Sequence, residues 1–374
     1  MIIVRRHNKQ HYSTLFCPDT GFFARIEDEG HPEPFWCENG PELMDIGITN
    51  WCDRGCSFCY RSSDTNGRHM SVSNYDSLIR QARQLGVYQV ALGGGNPNQH
   101  PEFETILRLT RKSYGIVPSY TTNGRGLSKS VLDSTLEHCG AVAVSVYAPF
   151  EESAVAIQKL IRHGITTNIH LIIDRKGVDL AIRWMESPPA WLEGINALIM
   201  LNYKPVVRVG EHAPLAKLNP NIEKLFHLAT TVQHPFKIGF DDCSATGVLT
   251  YGDADLRSVE GCDSGRFSMF VSENMEAYPC SFMSELCKGH PVTDSNLREI
   301  WQRGELFVKM RESLSPKRCG NCSSGNQCMS GCPLFPEINI CGSKQDTTAV
   351  GAALHRGPDL VQLSASVNSK RVAD

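Results

Sequence analysis

Three cysteines, Cys52, Cys56 and Cys59, stand within eight positions in "WCDRGCSFCYRSS", just after the apolar run "MDIGIT". Spacings of three and two residues let three thiolates converge on one metal centre from a single loop. A closed structural zinc site wants a fourth ligand. A cubane iron-sulfur cluster held by three cysteines instead keeps one iron free to bind something else.

A second concentration lies near the carboxy terminus, where "CGNCSSGNQCMSGC" carries Cys319, Cys322, Cys328 and Cys332, followed by Cys341 nine positions on. Pairs spaced C-x2-C also suit a zinc ribbon. These five and the upstream Cys243, Cys262 and Cys280 make eight, enough for two four-cysteine sites, with Cys287 to spare. Cys17, Cys37 and Cys139 sit apart and read as small core residues. Fifteen cysteines in a chain of 374 residues point to metal rather than disulfides, because a chain this long does not need covalent staples and a reducing cytosol disfavours them.

The elements that must position these thiols follow from periodicity. From residue 45 onward, short apolar runs alternate with segments whose apolar residues recur at three- and four-residue intervals, such as Tyr75, Leu78, Ile79, Ala82 and Leu85. The strand-like runs are "MDIGIT", "YQVALGGG", "VPSYTTNG", "AVAVSVY", "TTNIHLII" and "INALIMLNY". Six such units predict an α/β fold: a partial (β/α)6 TIM-type barrel with helices outside, whose chemistry sits at the carboxyl ends of the strands. The cysteine loop, "GGGNPN" and "TTNGRG" all fall on that rim.

Residues 1–44 predict a short β-hairpin cap around a Pro-Asp-Thr-Gly turn. The barrel is expected over 45–215, a cysteine-rich domain over 216–343 and a polar tail over 344–374. In "DSNLREIWQRGELFVKMRESL", Asp294 or Ser295 caps a helix with Leu297, Ile300 and Trp301 on its core face. The net charge of -3 leaves no basic footprint for nucleic acid, and no apolar run reaches the roughly 20 residues of a membrane span. The chain therefore reads as cytoplasmic, without nucleic-acid or membrane partners.

The pattern C-x3-C-x-aromatic-C, with Phe58 as the aromatic, resembles the signature loop of the radical S-adenosylmethionine (SAM) superfamily. The resemblance implies a [4Fe-4S] cluster on Cys52, Cys56 and Cys59 whose open iron is chelated by SAM, with Phe58 near the adenine. One electron then splits the sulfonium, and the resulting 5'-deoxyadenosyl radical abstracts a hydrogen atom from substrate. The family's Gly-Gly-Glu-Pro turn aligns with Gly94, Gly95, Asn96 and Pro97. Asn96 replaces the glutamate, so its amide oxygen is expected to receive the SAM amino group without charge assistance. By strand position Ser145, with Asn168 or His170, is expected near the ribose and carboxylate.

The carboxy-terminal spacing resembles the SPASM extension, an auxiliary-cluster domain of peptide and protein maturases. Carried over by position, Cys319, Cys322, Cys328 and Cys341 hold one auxiliary [4Fe-4S] cluster. Cys262, Cys280 and Cys332 hold the other, with Cys243 or Cys287 as fourth ligand or an open iron. The leading expectation is an enzyme that oxidises or cross-links a peptide or protein side chain. An electron donor such as flavodoxin or ferredoxin is implied. A separate leader-binding protein is a further candidate partner, since the first 44 residues are short for a winged-helix leader-binding domain. Modification of a small metabolite is the second reading, and a non-catalytic iron-sulfur or zinc protein the third. For the proton step, Asp241, Asp242, Tyr147 and His170 are candidates that no spacing separates.

Overall fold

The structure is a computed structural model that describes residues 2–206, 215–314, 322 and 324–341; Cys319 and the tail lie outside the described residues. The chain opens with three antiparallel strands, β1 (Ile3–His7), β2 (Tyr12–Phe16) and β3 (Phe23–Glu27), in that spatial order. The Pro-Asp-Thr-Gly turn joins β2 to β3 and is closed by Cys17 N–H donating to the Phe22 carbonyl at 2.8 Å. Strand β1 is hidden in the sequence because Arg5 and Arg6 interrupt its alternation; it is an edge strand with exposed Val4 and Arg6.

The six expected strands form in order and all run parallel: β4 (Leu43–Thr49), β5 (Gln89–Gly94), β6 (Val117–Thr122), β7 (Val142–Ser145), β8 (Thr167–Ile173) and β9 (Ala197–Asn202). Between them run α1 (Val72–Leu85), α2 (Phe103–Arg108), α3 (Lys129–His138), α4 (Glu151–Arg162) and α5 (Arg175–Glu186). Helix α1 begins where the Ser71 hydroxyl accepts the Asn74 N–H and ends at Gly86, whose φ of 88° a side chain would resist. Tyr75, Leu78, Ile79, Ala82 and Leu85 are buried, as their spacing predicts. They pack in one cluster with Met44, Ile46 and Ile48 of β4, which turns the alternate residues Asp45, Gly47 and Thr49 toward the concave face.

The remaining chain widens this sheet instead of standing apart from it. After α6 (Ile222–Thr231), β10 (Lys237–Phe240) pairs parallel with β9, and α7 (Ala245–Tyr251) follows. Strand β11 (Ser268–Val271) pairs parallel with β4 at the other margin, and β12 (Glu276–Tyr278) and β13 (His290–Pro291) continue antiparallel. The result is a ten-stranded sheet with the expected six at its centre. The added strands span only two to four residues each, too few to show a period.

The helix expected after residue 294 is two, α8 (Leu297–Arg303) and α9 (Glu305–Ser313), parted at Gly304. Its cap position is Asn296; Asp294 instead accepts the Ser77 hydroxyl at 2.7 Å, tying the segment to α1. Trp301 is fully buried, as expected of a core residue, and its indole donates to the Cys37 carbonyl at 2.8 Å. A last helical turn, α10 (Gly325–Cys328), precedes Cys332. No helix among the described residues is long and apolar enough to cross a membrane.

Candidate functional site

Thr49, Gly94 and the loop after Thr122 meet at the carboxyl ends of neighbouring strands. From there the chain folds back on itself: Asn50 N–H donates to the Arg68 carbonyl at 2.7 Å and Cys52 N–H to that of Asp64 at 2.9 Å. Cys59 N–H closes a turn on the Cys56 carbonyl at 3.1 Å. Cys52, Cys56 and Cys59 are all partly exposed. Burial pushes the Cys56 thiol up, with Arg54 opposing and Cys59 and Cys52 adding to it, so the three groups sense one another.

Beside them, the carboxyl end of β5 has two different glycine faces. A Cβ on Gly94 would lie 2.0 Å from the Thr49 carbonyl oxygen, and one on Gly95 would lie 2.0 Å from that of Trp51. Both glycines let β5 close against the cysteine loop. Gly93 differs, since a Cβ there would meet nothing within 4 Å. Three half-open thiols beside this space form a donor set that fits a cluster with one exchangeable corner.

Asn96 is held by hydrogen bonds of its own. It is 1% exposed, and its amide oxygen already accepts the Thr122 hydroxyl at 2.9 Å and the Asn123 N–H at 3.0 Å. Its amide nitrogen donates to Gln99 Oε1 at 2.7 Å and to the Arg125 carbonyl at 3.2 Å. Thr122 has one hydrogen to give to Asn96 or Asn98, so at least three of the four hydrogen-bonding positions of Asn96 are used inside the protein. Pro97 is buried at the start of the short turn Pro97–Gln99.

Phe58 is 40% exposed and packs on Tyr147 with ring centroids 4.9 Å apart, while the Arg54 guanidinium sits 5.2 Å from the Tyr147 ring centre. Tyr147 is hydrogen-bonded to Ser145 and pushed up to about 12, chiefly by burial, so it stays protonated at neutral pH. Ser145 stands beside His170 in the parallel register of β7 and β8. Burial pushes the His170 imidazole down to about 4, which keeps it neutral. Asn168 lies two residues nearer the amino end of β8, where Asn196, just before β9, donates to its Oδ1 at 2.7 Å. Of the two alternatives, His170 is the one level with Ser145.

A second thiol set forms far from the first in sequence. Cys243 follows β10, Cys262 precedes β11, Cys280 follows β12 and Cys332 follows α10. Cys243 is hydrogen-bonded to Cys332, which with Lys204 lowers its pKa against the effect of burial. The Cys262 thiol is raised by burial and by Cys243 and Cys280. Cys280 is pushed up to about 12 by burial, with Cys243 adding. Asp263 N–H donates to Asp242 at 3.3 Å, so the loop after β10 touches the loop before β11 at these cysteines. Cys287 is elsewhere: its thiol donates to the Met283 carbonyl at 3.6 Å and faces Glu276. The structure thus brings Cys243 to the set and leaves Cys287 out. Cys322 and Cys341 are exposed and Cys328 is buried. That stretch packs on the Cys262 loop, where a Cβ on Gly261 would lie 2.3 Å from the Gln327 carbonyl oxygen.

Sequence reasoning missed Lys204. It is buried and paired with Asp241, which also accepts the Ser244 hydroxyl at 2.7 Å and the Asn202 N–H at 3.1 Å. Burial works against its charge, but Asp241 and the Cys243 thiol outweigh that and raise its pKa. Its ammonium sits 5.0 Å from the Phe282 ring centre, and Phe282 packs at 4.4 Å on Tyr60, the residue after Cys59. Next to Tyr60, Arg61 is buried and pairs with Glu273 at 2.6 Å, fastening the cysteine loop to the β11–β12 turn. The position of Lys204 just past a barrel strand was the one available signal.

Residues 46–175 match the model of the radical SAM superfamily. The mycofactocin maturase MftC of Mycolicibacterium smegmatis is 22% identical over 326 residues, covering 79% of this chain and 78% of that protein. The AdoMet-dependent heme synthase of Methanosarcina barkeri is 22% identical over 330 residues, covering 79% of this chain and 91% of its own length. Among solved structures, Streptococcus suis SuiB bound to S-adenosylmethionine superposes with a TM-score of 0.66 at 15% identity, over 91% of this chain and 98% of that one.

Proposed function

Because the chain carries a radical SAM domain and is an enzyme of that superfamily, we propose that it oxidises or cross-links a side chain of a peptide or protein. The observation that carries this reading is the second thiol set, Cys243, Cys262, Cys280 and Cys332, gathered beside a barrel that already has its own cysteine loop. Likeness over most of the chain to a mycofactocin maturase supports it, as does the shared fold with SuiB, which has been solved with the precursor peptide SuiA. We assign residues 45–215 to the barrel and 216–343 to a SPASM-type region that completes its sheet.

In this reading Cys52, Cys56 and Cys59 would hold a [4Fe-4S] cluster, and Gly93, Phe58, Ser145 and His170 are the residues that would receive SAM. Bound there, the two supply one-electron cleavage of a sulfonium and a 5'-deoxyadenosyl radical. Phe58 and Tyr147 wall the site from water. Cys243, Cys262, Cys280 and Cys332 would hold one auxiliary cluster, and Lys204 would offset negative charge there. Cys319, Cys322, Cys328 and Cys341 supply the ligands of the other. Electrons come from a low-potential donor such as flavodoxin or ferredoxin in the cytoplasm, and a separate leader-binding protein can present the peptide.

The test is coexpression with short open reading frames adjacent to the gene, followed by mass analysis of the peptides. A loss of about two mass units per modification, dependent on Cys52, supports the reading. Unchanged peptides, together with SAM cleavage stimulated by a small metabolite, favour the second reading, modification of a small molecule. The likeness to a heme synthase over 91% of that protein is the observation behind that alternative.

A further inference from the structure

On the rim, Asn96 stands among other amides, Asn98, Gln99 and Asn123. Thr122 donates to Asn96 or to Asn98 Oδ1, at 2.9 and 2.6 Å, and Asn98 donates to the Arg125 carbonyl at 2.6 Å. Gly126, with φ of 73°, permits this close approach: a Cβ there would lie 3.1 Å from Asn98 Nδ2 and 2.8 Å from Gln99 Cγ. Gln99 in turn donates to Asp53 at 2.9 Å. The outcome of this network is the orientation of one side chain, Asn123.

Asn123 is 8% exposed and is held at both ends. Its backbone N–H goes to Asn96 Oδ1 at 3.0 Å, and its own Oδ1 accepts the Arg125 N–H at 2.9 Å. The second bond fixes which end of the amide is oxygen. Its nitrogen therefore faces the cysteine loop, 3.0 Å from Asp53 Oδ1 and 3.6 Å from Cys52 Sγ. Among the described residues, no other side-chain donor to Cys52, Cys56 or Cys59 is recorded.

We infer that Asn123 is a positioning residue that donates an N–H to the Cys52 thiolate and raises the reduction potential of the first cluster, with Asn96 serving to hold it. The inference rests on the proposed cluster at Cys52, Cys56 and Cys59. Its physical basis is that reduction adds negative charge to the cluster and its sulfur ligands, so a fixed donor stabilises the reduced state more than the oxidised one. A carboxylate at position 96 could still accept from Asn123 but could not donate to Gln99 and the Arg125 carbonyl. The neutral amide is what the network requires.

The experiment is an EPR-monitored redox titration of the anaerobically reconstituted full-length chain, with the first cluster identified by the change of its signal on adding SAM. If the parent shows no SAM-responsive signal, the proposed cluster site fails and the inference fails with it. Given that signal, Asn123→Ala is expected to shift the reduction equilibrium roughly tenfold toward the oxidised form, ~59 mV for one electron. A retained cluster with an equilibrium within about twofold of the parent overturns the inference and leaves the cluster site standing. Should Asn123→Ala not hold the cluster, Asn123→Asp has the same shape without an N–H toward sulfur. It is expected to shift the equilibrium at least as far in the same direction, and an unchanged equilibrium overturns the inference equally.

Discussion

The two thiol sets are built in opposite ways. Cys52, Cys56 and Cys59 sit in one loop between β4 and α1, partly exposed, and are held in place by amides from the ends of β5 and β6. Cys243, Cys262, Cys280 and Cys332 come from four separated segments, and Cys262 and Cys332 are buried where the loops after β10 and before β11 meet, beside the charged pair Lys204–Asp241. A local loop can offer three thiols and leave a corner open for exchange. A set assembled by tertiary contacts supplies four, two of them buried. On the proposed function, the first region would bind a small ligand and the second would contain charge.

The largest effect expected is on the first region. Replacing Cys52, Cys56 and Cys59 together by Ala should abolish 5'-deoxyadenosine formation from SAM and dithionite. It should also remove about a third of the roughly twelve irons that three clusters of four would hold. Iron loss without loss of SAM cleavage would break the division of roles.

Next comes a paired test of the second region. Cys243→Ala should lose about four irons per chain, whereas Cys287→Ala should lose none, because Cys287 faces Glu276 away from the other thiols. Iron and sulfide analysis after reconstitution distinguishes them, and the reverse outcome would reassign the fourth ligand.

A smaller effect tests the charged pair. Lys204→Met leaves Asp241 enclosed without its partner and should cost about 3–5 kcal/mol in chemical denaturation. It should also lower the potential of the auxiliary cluster while leaving the SAM-responsive signal in place. A shift in the first cluster instead would show that the two regions are not electrically separate.

The smallest effect concerns Asp45, which lies on the concave face between the regions and is pushed up to about 7, first by burial and then by Asp263. Its folded pKa exceeds its unfolded one, so between about pH 4 and pH 7 the folded state binds more protons and stability falls as pH rises. Below that window the full contribution is present; above it the loss is complete. Asp45→Asn should remove this slope, seen as a flatter melting temperature against pH than the parent gives. Parallel curves would mean that Asp45 is solvated in the folded chain.

Much of this was legible locally. The six central strands carry their own periods, and helix α1 is marked by Ser71, Gly86 and the five-residue face between them. The first cysteine loop is legible for the same reason, as its geometry is set within eight residues. Local sequence carries no sign of a partner distant in the chain. Asn168 has a rim-like polar character but is spent on Asn196, and Asn96 is spent on Asn123, Gln99 and Arg125. Nothing in either residue type reveals whether its hydrogen bonds are already made. Strands β10 to β13 were lost because a two- to four-residue strand is defined by its neighbour, not by its own pattern.

By itself the sequence determined the parallel barrel and the three-thiol loop at its rim, because hydrophobic period and short ligand spacing are properties of contiguous chain. Only the tertiary structure decided that Cys243 rather than Cys287 joins Cys332, that Lys204 lies beside them, and that Asn123 aims at Cys52. Those facts depend on how the sheet brings the loop after β10 to the loop before β11 and on which buried amides face each other across loops. Loop closure over tens of residues leaves no trace in local composition.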